Sequence, residues 1–206
     1  MPSDLTAVCL VCTLKPSPAE SSAELLGSQL MDALEAVGVS GTTIRVVDHD
    51  VKPGVEADMG DGDEWPAIRE QIVAADILVM ATPTWMGHMT SVAQRVLERL
   101  DAELSEKDDL GRPNMFDKVA VAAIVGNEDG AHQITAELFQ ALNDIGFTIP
   151  AQGVTYWNGE AMGSVDYKDL EETPPKVAST TKSVARFAAH LAEVLQSARY
   201  PVPVEG

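Results

Sequence analysis

Asp76-Ile77-Leu78-Val79-Met80-Ala81-Thr82 runs directly into Pro83-Thr84-Trp85-Met86-Gly87-His88-Met89-Thr90, and then into a stretch of helical period. An apolar run of that length reads as a strand buried on both faces, as parallel strands are. The segment after it makes a poor solvated turn: a Pro, a Trp, two Met and a Gly at a strand's carboxyl end suit a flat apolar ligand. Gly87 would let the backbone approach such a ligand closely. The competing reading is that Trp85 and Met86 cap the core or fill a subunit interface.

Three other runs share the character of 76–82, at residues 6–13, 43–47 and 118–126, and a shorter fifth, 147–149 with its continuation, closes the series. Helical periods lie between them. Leu26, Leu30, Ala33, Leu34 and Val37 share one face; Val92, Val96, Leu100 and Leu104 a second; Ile134, Leu138, Leu142 and Ile145 a third. Val184, Phe187, Ala188, Leu191 and Val194 mark a C-terminal helix, and residues 65–74 a short one. Strands alternating with helices predict a doubly wound α/β domain, a parallel sheet with helices on both faces. Five strands suggest the flavodoxin-like order 2-1-3-4-5, with the ligand at the strands' carboxyl ends near the switch point. With no internal repeat or domain boundary, residues 1–206 are expected to form one domain. Residues 105–117 make a polar connection. Residues 152–175 are rich in Gly, Pro and acidic residues, and a loop that long is more often a lid, an interface or a binding element than idle.

The 206 residues are 45% hydrophobic, which argues against disorder, and no apolar run nears the roughly 20 residues a membrane span needs. Met1-Pro2-Ser3-Asp4 lacks the basic flank and cleavage site of a signal peptide, so a soluble, cytoplasmic protein is expected. A formal charge of −18 argues against nucleic acid and anionic membranes as partners. It also means that any phosphate on a ligand must be held by local donors working against the overall field. Cys9 and Cys12 stand three apart in a strand, so their side chains face opposite ways, which speaks for packing over redox or zinc chemistry. No metal is expected. The acidic segment 58–64 lacks calcium-loop spacing and reads as solvated, and His49 has no second His nearby.

The loop after the first strand, 13–24, carries Thr13, Lys15, Ser17, Ser21 and Ser22 just before a helix. Two capping patterns overlap there, Ser17 with Glu20 and Ser21 with Glu24. A helix N-terminus with hydroxyls and one cation suits a phosphate, although an ordinary capped helix explains the same residues. Neither G-x-G-x-x-G nor G-x-x-x-x-G-K-[ST] occurs in this loop, which sets aside a Rossmann dinucleotide turn and a P-loop. After the fourth strand, Gly126-Asn127-Glu128-Asp129-Gly130 is Gly-rich enough to converge several N–H groups on one carbonyl oxygen. Glu128 and Asp129 are then expected to face solvent. His132 opens the next helix, where a local hydrogen bond competes with a catalytic role.

Strand, Thr82-Pro83-Thr84-Trp85-Met86-Gly87-His88-Met89, helix resembles the T-P-[IT]-Y/W-x-G-x-[MP] segment of NAD(P)H-dependent FMN reductases and related flavodoxin-family quinone reductases. The resemblance covers roughly residues 5–160. It implies FMN as cofactor, with Pro83, Thr84, Trp85, Met86 and Gly87 wrapping the isoalloxazine ring. Thr13, Lys15, Ser17, Ser21 and Ser22 would hold the phosphate, although Ser22 and Ala23 depart from the family's Asn-Thr. Gly126, Asn127, Glu128, Asp129 and Gly130 would border the ring's edges, and Tyr156 and Trp157 are candidate walls for a flat substrate. NADH or NADPH would reduce the flavin and a quinone, free flavin or similar small acceptor would take the electrons, without an obligatory acid or base. Lys15, Arg45, Lys168 and Arg186 are all open as partners for an NADPH 2′-phosphate. A homodimer or higher oligomer is also implied. Two other readings stand beside this one: a flavodoxin-type carrier docking a basic protein through its acidic surface, and a regulatory module without turnover.

Overall fold

The computed structural model describes residues 5–203, so the reading of Met1-Pro2-Ser3-Asp4 lies outside the described residues. Ten main elements alternate along it: β1 (Thr6–Val11), α1 (Ser22–Glu35), β2 (Ser40–Arg45), α2 (Trp65–Ala74), β3 (Ile77–Pro83), α3 (Ser91–Leu100), β4 (Val119–Gly126), α4 (Ala131–Ile145), β5 (Val154–Asn158) and α5 (Pro175–Ser197). Every pairing is parallel and the order is β2-β1-β3-β4-β5, the flavodoxin-like arrangement expected. No helix among the described residues is long and apolar enough to cross a membrane.

Strand alternation sorts the core into two layers. Ala7, Cys9, Val11, Val79, Ala81, Val121 and Ala123 pack beneath α1 and α5. Val8, Leu10, Cys12, Leu78, Met80, Ala122 and Ile124 pack beneath α2, α3 and α4. The two cysteines thus fall in different layers. Burial pushes the Cys9 thiol up to about 12 and Cys12 up as well, so both stay protonated and serve as core side chains.

Three expectations need correction. The fifth strand is not 147–149: Thr148 makes one bridge to Val119, Pro150 offers no N–H, and the chain turns through Gln152 (φ +53°) before Val154–Asn158 pairs with Ala122–Gly126. Tyr156 and Trp157 are therefore strand residues with side chains on opposite faces. β2 begins three residues earlier than its apolar run suggests, at Ser40, because the first four residues of this edge strand are exposed and carry no apolar signal.

The third correction concerns residues 58–64, which are not simply solvated. The Asp63 side chain is fully sequestered with Arg99, accepting 3.0 and 2.8 Å hydrogen bonds from its guanidinium. Arg99 also donates to the carbonyls of Lys52 and Glu56, stapling the loop between β2 and α2 onto α3. Burial works to raise the Asp63 pKa. Hydrogen bonds from Arg99 and from the N–H groups of Met59, Lys52 and Trp65 outweigh it and hold the carboxyl well below the usual range.

Candidate functional site

The turns leaving β1, β3 and β4 meet over one cavity of about 400 Å³ at the carboxyl ends of the sheet, a size suited to a small-molecule ligand. One side-chain hydrogen bond ties the first two turns together, Thr90 Oγ1 donating to the Cys12 carbonyl (2.6 Å), while Thr90 N donates to Thr82 Oγ1 (3.3 Å) and closes the β3 turn on itself. The same Thr90 hydroxyl caps α3 by accepting from Ala93 N.

From the β1 turn, Thr13, Lys15, Ser21 and Ser22 line the cavity together with Leu14, Glu20 and Ala23. Ser21 is the N-cap of α1 and accepts from Glu24 N at 3.3 Å. The N–H groups of Ser22 and Ala23, in the first turn of α1, have no helical acceptor and carry the positive end of the helix dipole. Ser17 is elsewhere. Its N–H and Oγ both donate to the Asp48 carboxylate, at 2.8 and 2.5 Å, and those bonds hold the Asp48 carboxyl below its ordinary value.

From the β3 turn come Pro83, Thr84 and Trp85. Trp85 and His88 exchange backbone hydrogen bonds of 2.8 and 3.0 Å around Met86 (φ +53°) and Gly87 (φ +77°), the sign pattern of a tight type I′ turn. A Cβ on Gly87 would meet only the Asp129 carbonyl, at 3.9 Å, so its left-handed backbone, not close approach, calls for glycine there. Trp85 is 55% exposed and Met86 86%, at the rim and not sealed in the core. Met86 and Gly87 are outside the cavity lining.

Thr84 is the informative residue. It is 5% exposed and lines the cavity, yet its hydroxyl has no hydrogen-bond partner. Among the described residues the only other buried side-chain donor in that state is Trp65 Nε1, outside this lining. Grooves on the helical faces, between α1 and α5 (about 460 Å³) and between α3 and α4 (about 820 Å³), present no such group.

From the β4 turn, Gly126, Asn127 and Glu128 line the cavity and Asp129 and Gly130 do not. The glycines allow contact between turns: a Cβ on Gly126 would stand 2.7 Å from Thr84 Cβ, and one on Gly130 2.7 Å from the Gly87 carbonyl. Glu128 is half-buried, and its carboxylate reaches across to accept an exposed hydrogen bond from Met86 N at 2.7 Å. Asp129 is exposed and accepts from Gly130 N.

A fourth segment completes the wall, and the sequence singles out only Lys168 within it. Met162, Gly163, Asp166, Tyr167 and Lys168 come from the long loop after β5. Asn127 Nδ2 holds it, donating to the Gly163 carbonyl (3.3 Å) and Asp166 Oδ1 (3.2 Å), while Lys168 N donates to Ser22 Oγ. Tyr167 is buried, bonds Gln29 through its hydroxyl and packs on Trp157 with ring centroids 5.5 Å apart. Of the two candidate aromatic walls only Trp157 lines the cavity. Tyr156 points to the other face, edge-on to His132, which is likewise outside the lining.

This donor set fits a flat ring carrying a phosphate. Hydroxyls, helix N–H groups and Lys15 gather at one end, and at the other lie aromatic walls beside a buried hydroxyl that still needs a partner.

Comparison with known proteins agrees. The model of the family described as NADPH-dependent FMN reductase matches residues 9–161. The 8-demethyl-8-aminoriboflavin-5′-phosphate synthase of Streptomyces davaonensis is 32% identical, with 98% of this chain and 82% of that protein covered. The crystal structure of RosB with bound 8-demethyl-8-formylriboflavin-5′-phosphate superposes with a TM-score of 0.86 at 31% identity, covering 95% of this chain and 82% of that one. A protein of Mycobacterium bovis (strain ATCC BAA-935 / AF2122/97) named divalent metal cation transporter MntH is 33% identical over 96% of this chain, which spans only 29% of that relative's length. Sheet order, cavity and family match converge: the chain belongs to the NADPH-dependent FMN reductase family, FMN-dependent oxidoreductases that use NADPH or NADH.

Proposed function

We propose that this chain passes electrons from a nicotinamide dinucleotide, by way of FMN, to a small flat acceptor such as a quinone or free flavin. The observation that carries the reading is the cavity where three strand ends meet, with the start of α1 and Lys15 in its lining and Thr84, whose buried hydroxyl has no partner in the protein, among its wall residues. Bound FMN supplies the hydride-accepting and electron-donating chemistry; the chain binds, orients and tunes. Ser21, Ser22 and Lys15 hold the phosphate with the first N–H groups of α1. Thr13, Pro83, Thr84, Trp85, Gly126, Asn127 and Glu128 border the ring, and Trp157 and Tyr167 supply the apolar wall. His132 and Tyr156, on the far face, take no part. The same reading has the protein work in the cytoplasm as a homodimer in which exposed Trp85 and Met86 are covered; a monomer by light scattering refutes the dimer alone.

A relative named as a synthase of a riboflavin phosphate, and the RosB structure with a riboflavin phosphate bound as an intermediate, favour a second reading, in which the flavin is the substrate and its ring is altered. One experiment separates the two. The FMN-loaded protein is given NADH or NADPH with a panel of quinones, and the flavin's mass is then measured. Quinone-dependent nucleotide oxidation with flavin mass unchanged supports the first reading. An altered flavin mass supports the second, and protein that stays colourless after incubation with FMN refutes both.

A further inference from the structure

We infer, resting on the proposed nicotinamide chemistry, that the site prefers NADH to NADPH because the basic side chains beside it are already engaged. The sequence leaves four basic residues open as partners of a 2′-phosphate, and geometry disposes of three. Arg45 is buried, ion-paired to Glu24 and bonded through Nη1 to the carbonyls of Ala19 (2.8 Å) and Lys15 (3.3 Å). Arg186 lines the groove between α1 and α5, on a helical face and outside the cavity. Lys168 does line the cavity, but its ammonium lies 2.6 Å from an Asp169 carboxylate oxygen and 3.8 Å from one of Glu20.

Lys15 remains: it lies close enough to Asp169 to lower that carboxyl's pKa, and it lines the cavity with Ser21 and Ser22 at the start of α1 where the FMN phosphate belongs. Glu20, Glu128 and Asp166 add negative charge to the same wall. The chain as a whole stands at −18. A 2′-phosphate brings about 1.5–2 further negative charges at neutral pH. Fields of this kind alter association by roughly tenfold to a thousandfold and weaken as salt shortens the screening length.

The test compares NADH with NADPH on the FMN-loaded protein at low and high salt. It measures kcat/KM and also the dissociation constants of the non-reducing 1,4,5,6-tetrahydro analogues. The expected result is a preference for NADH of about tenfold or more at low salt, shrinking several-fold near 0.5 M salt as screening sets in. The double variant Glu20→Gln, Asp169→Asn releases Lys168 and shifts the ratio toward NADPH. NADPH as effective as NADH at low salt overturns the inference alone, as does an NADH preference that neither salt nor the double variant moves. If neither nucleotide binds or is oxidised, the nicotinamide reading fails and takes this inference with it.

Discussion

Thr84→Val should move two measurements in opposite directions. The Thr84 side chain is 5% exposed and its hydroxyl meets no acceptor or donor in the protein. An unsatisfied buried polar group of this kind costs about 1–3 kcal/mol. Valine keeps the branched shape and removes that cost, so the flavin-free protein should gain about 1 kcal/mol, raising its melting temperature by about 2–4 °C for a domain of this size. Bound FMN loses one hydrogen bond, about 0.5–1.5 kcal/mol, which weakens binding by roughly two- to tenfold. Thermal melts of the flavin-free protein and fluorescence titration with FMN read the two effects separately. A variant that is less stable and binds FMN less well would indicate mere damage to the fold. A variant with unchanged FMN affinity would refute the claim that this hydroxyl awaits the flavin.

Gly126→Ala places a Cβ 2.7 Å from Thr84 Cβ and forces the β3 and β4 turns apart; destabilisation of about 1–3 kcal/mol is expected, with FMN affinity falling at least tenfold in the same titration. Asp63→Asn breaks the sequestered pair with Arg99 and should cost about 3–5 kcal/mol in urea unfolding at neutral pH. The folded Asp63 carboxyl titrates below its unfolded value, so its stabilisation is complete above about pH 5 and lost as pH falls through the folded value. The variant should accordingly show a flatter acid limb than the parent protein. Asn127→Ala removes both side-chain bonds to the 163–166 segment; stopped-flow mixing should show FMN leaving several-fold faster, and unchanged release would deny Asn127 its role as a latch.

How far the sequence reveals this architecture depends on the kind of signal each part emits. β1, β3 and β4 are buried on both faces, so their apolar runs announce them, and the helical period bounds α2 to the residue at Trp65–Ala74. β2 and β5 are the edges, where half-exposed residues dilute the pattern, and both lie displaced from their apolar runs. The β3 turn stands out because Trp85 and Met86 are costly to expose without a purpose. Turn residues that bond to the protein itself look in sequence like those that face a ligand: Ser17 is spent on Asp48, and Glu128 on Met86 N. Tyr156 is lost as a wall along with its strand's expected position. Asp63 and Arg99 lie 36 residues apart, and Tyr167 and Gln29 lie 138 apart. Such pairs leave no local mark.

A crystal structure of the protein grown with FMN tests the central claim most directly. The account predicts the phosphate at the start of α1 among Ser21, Ser22 and Lys15, and a flavin atom within hydrogen-bond reach of Thr84 Oγ1. Flavin lodged instead between α1 and α5, with the Thr84 hydroxyl still partnerless, would contradict it.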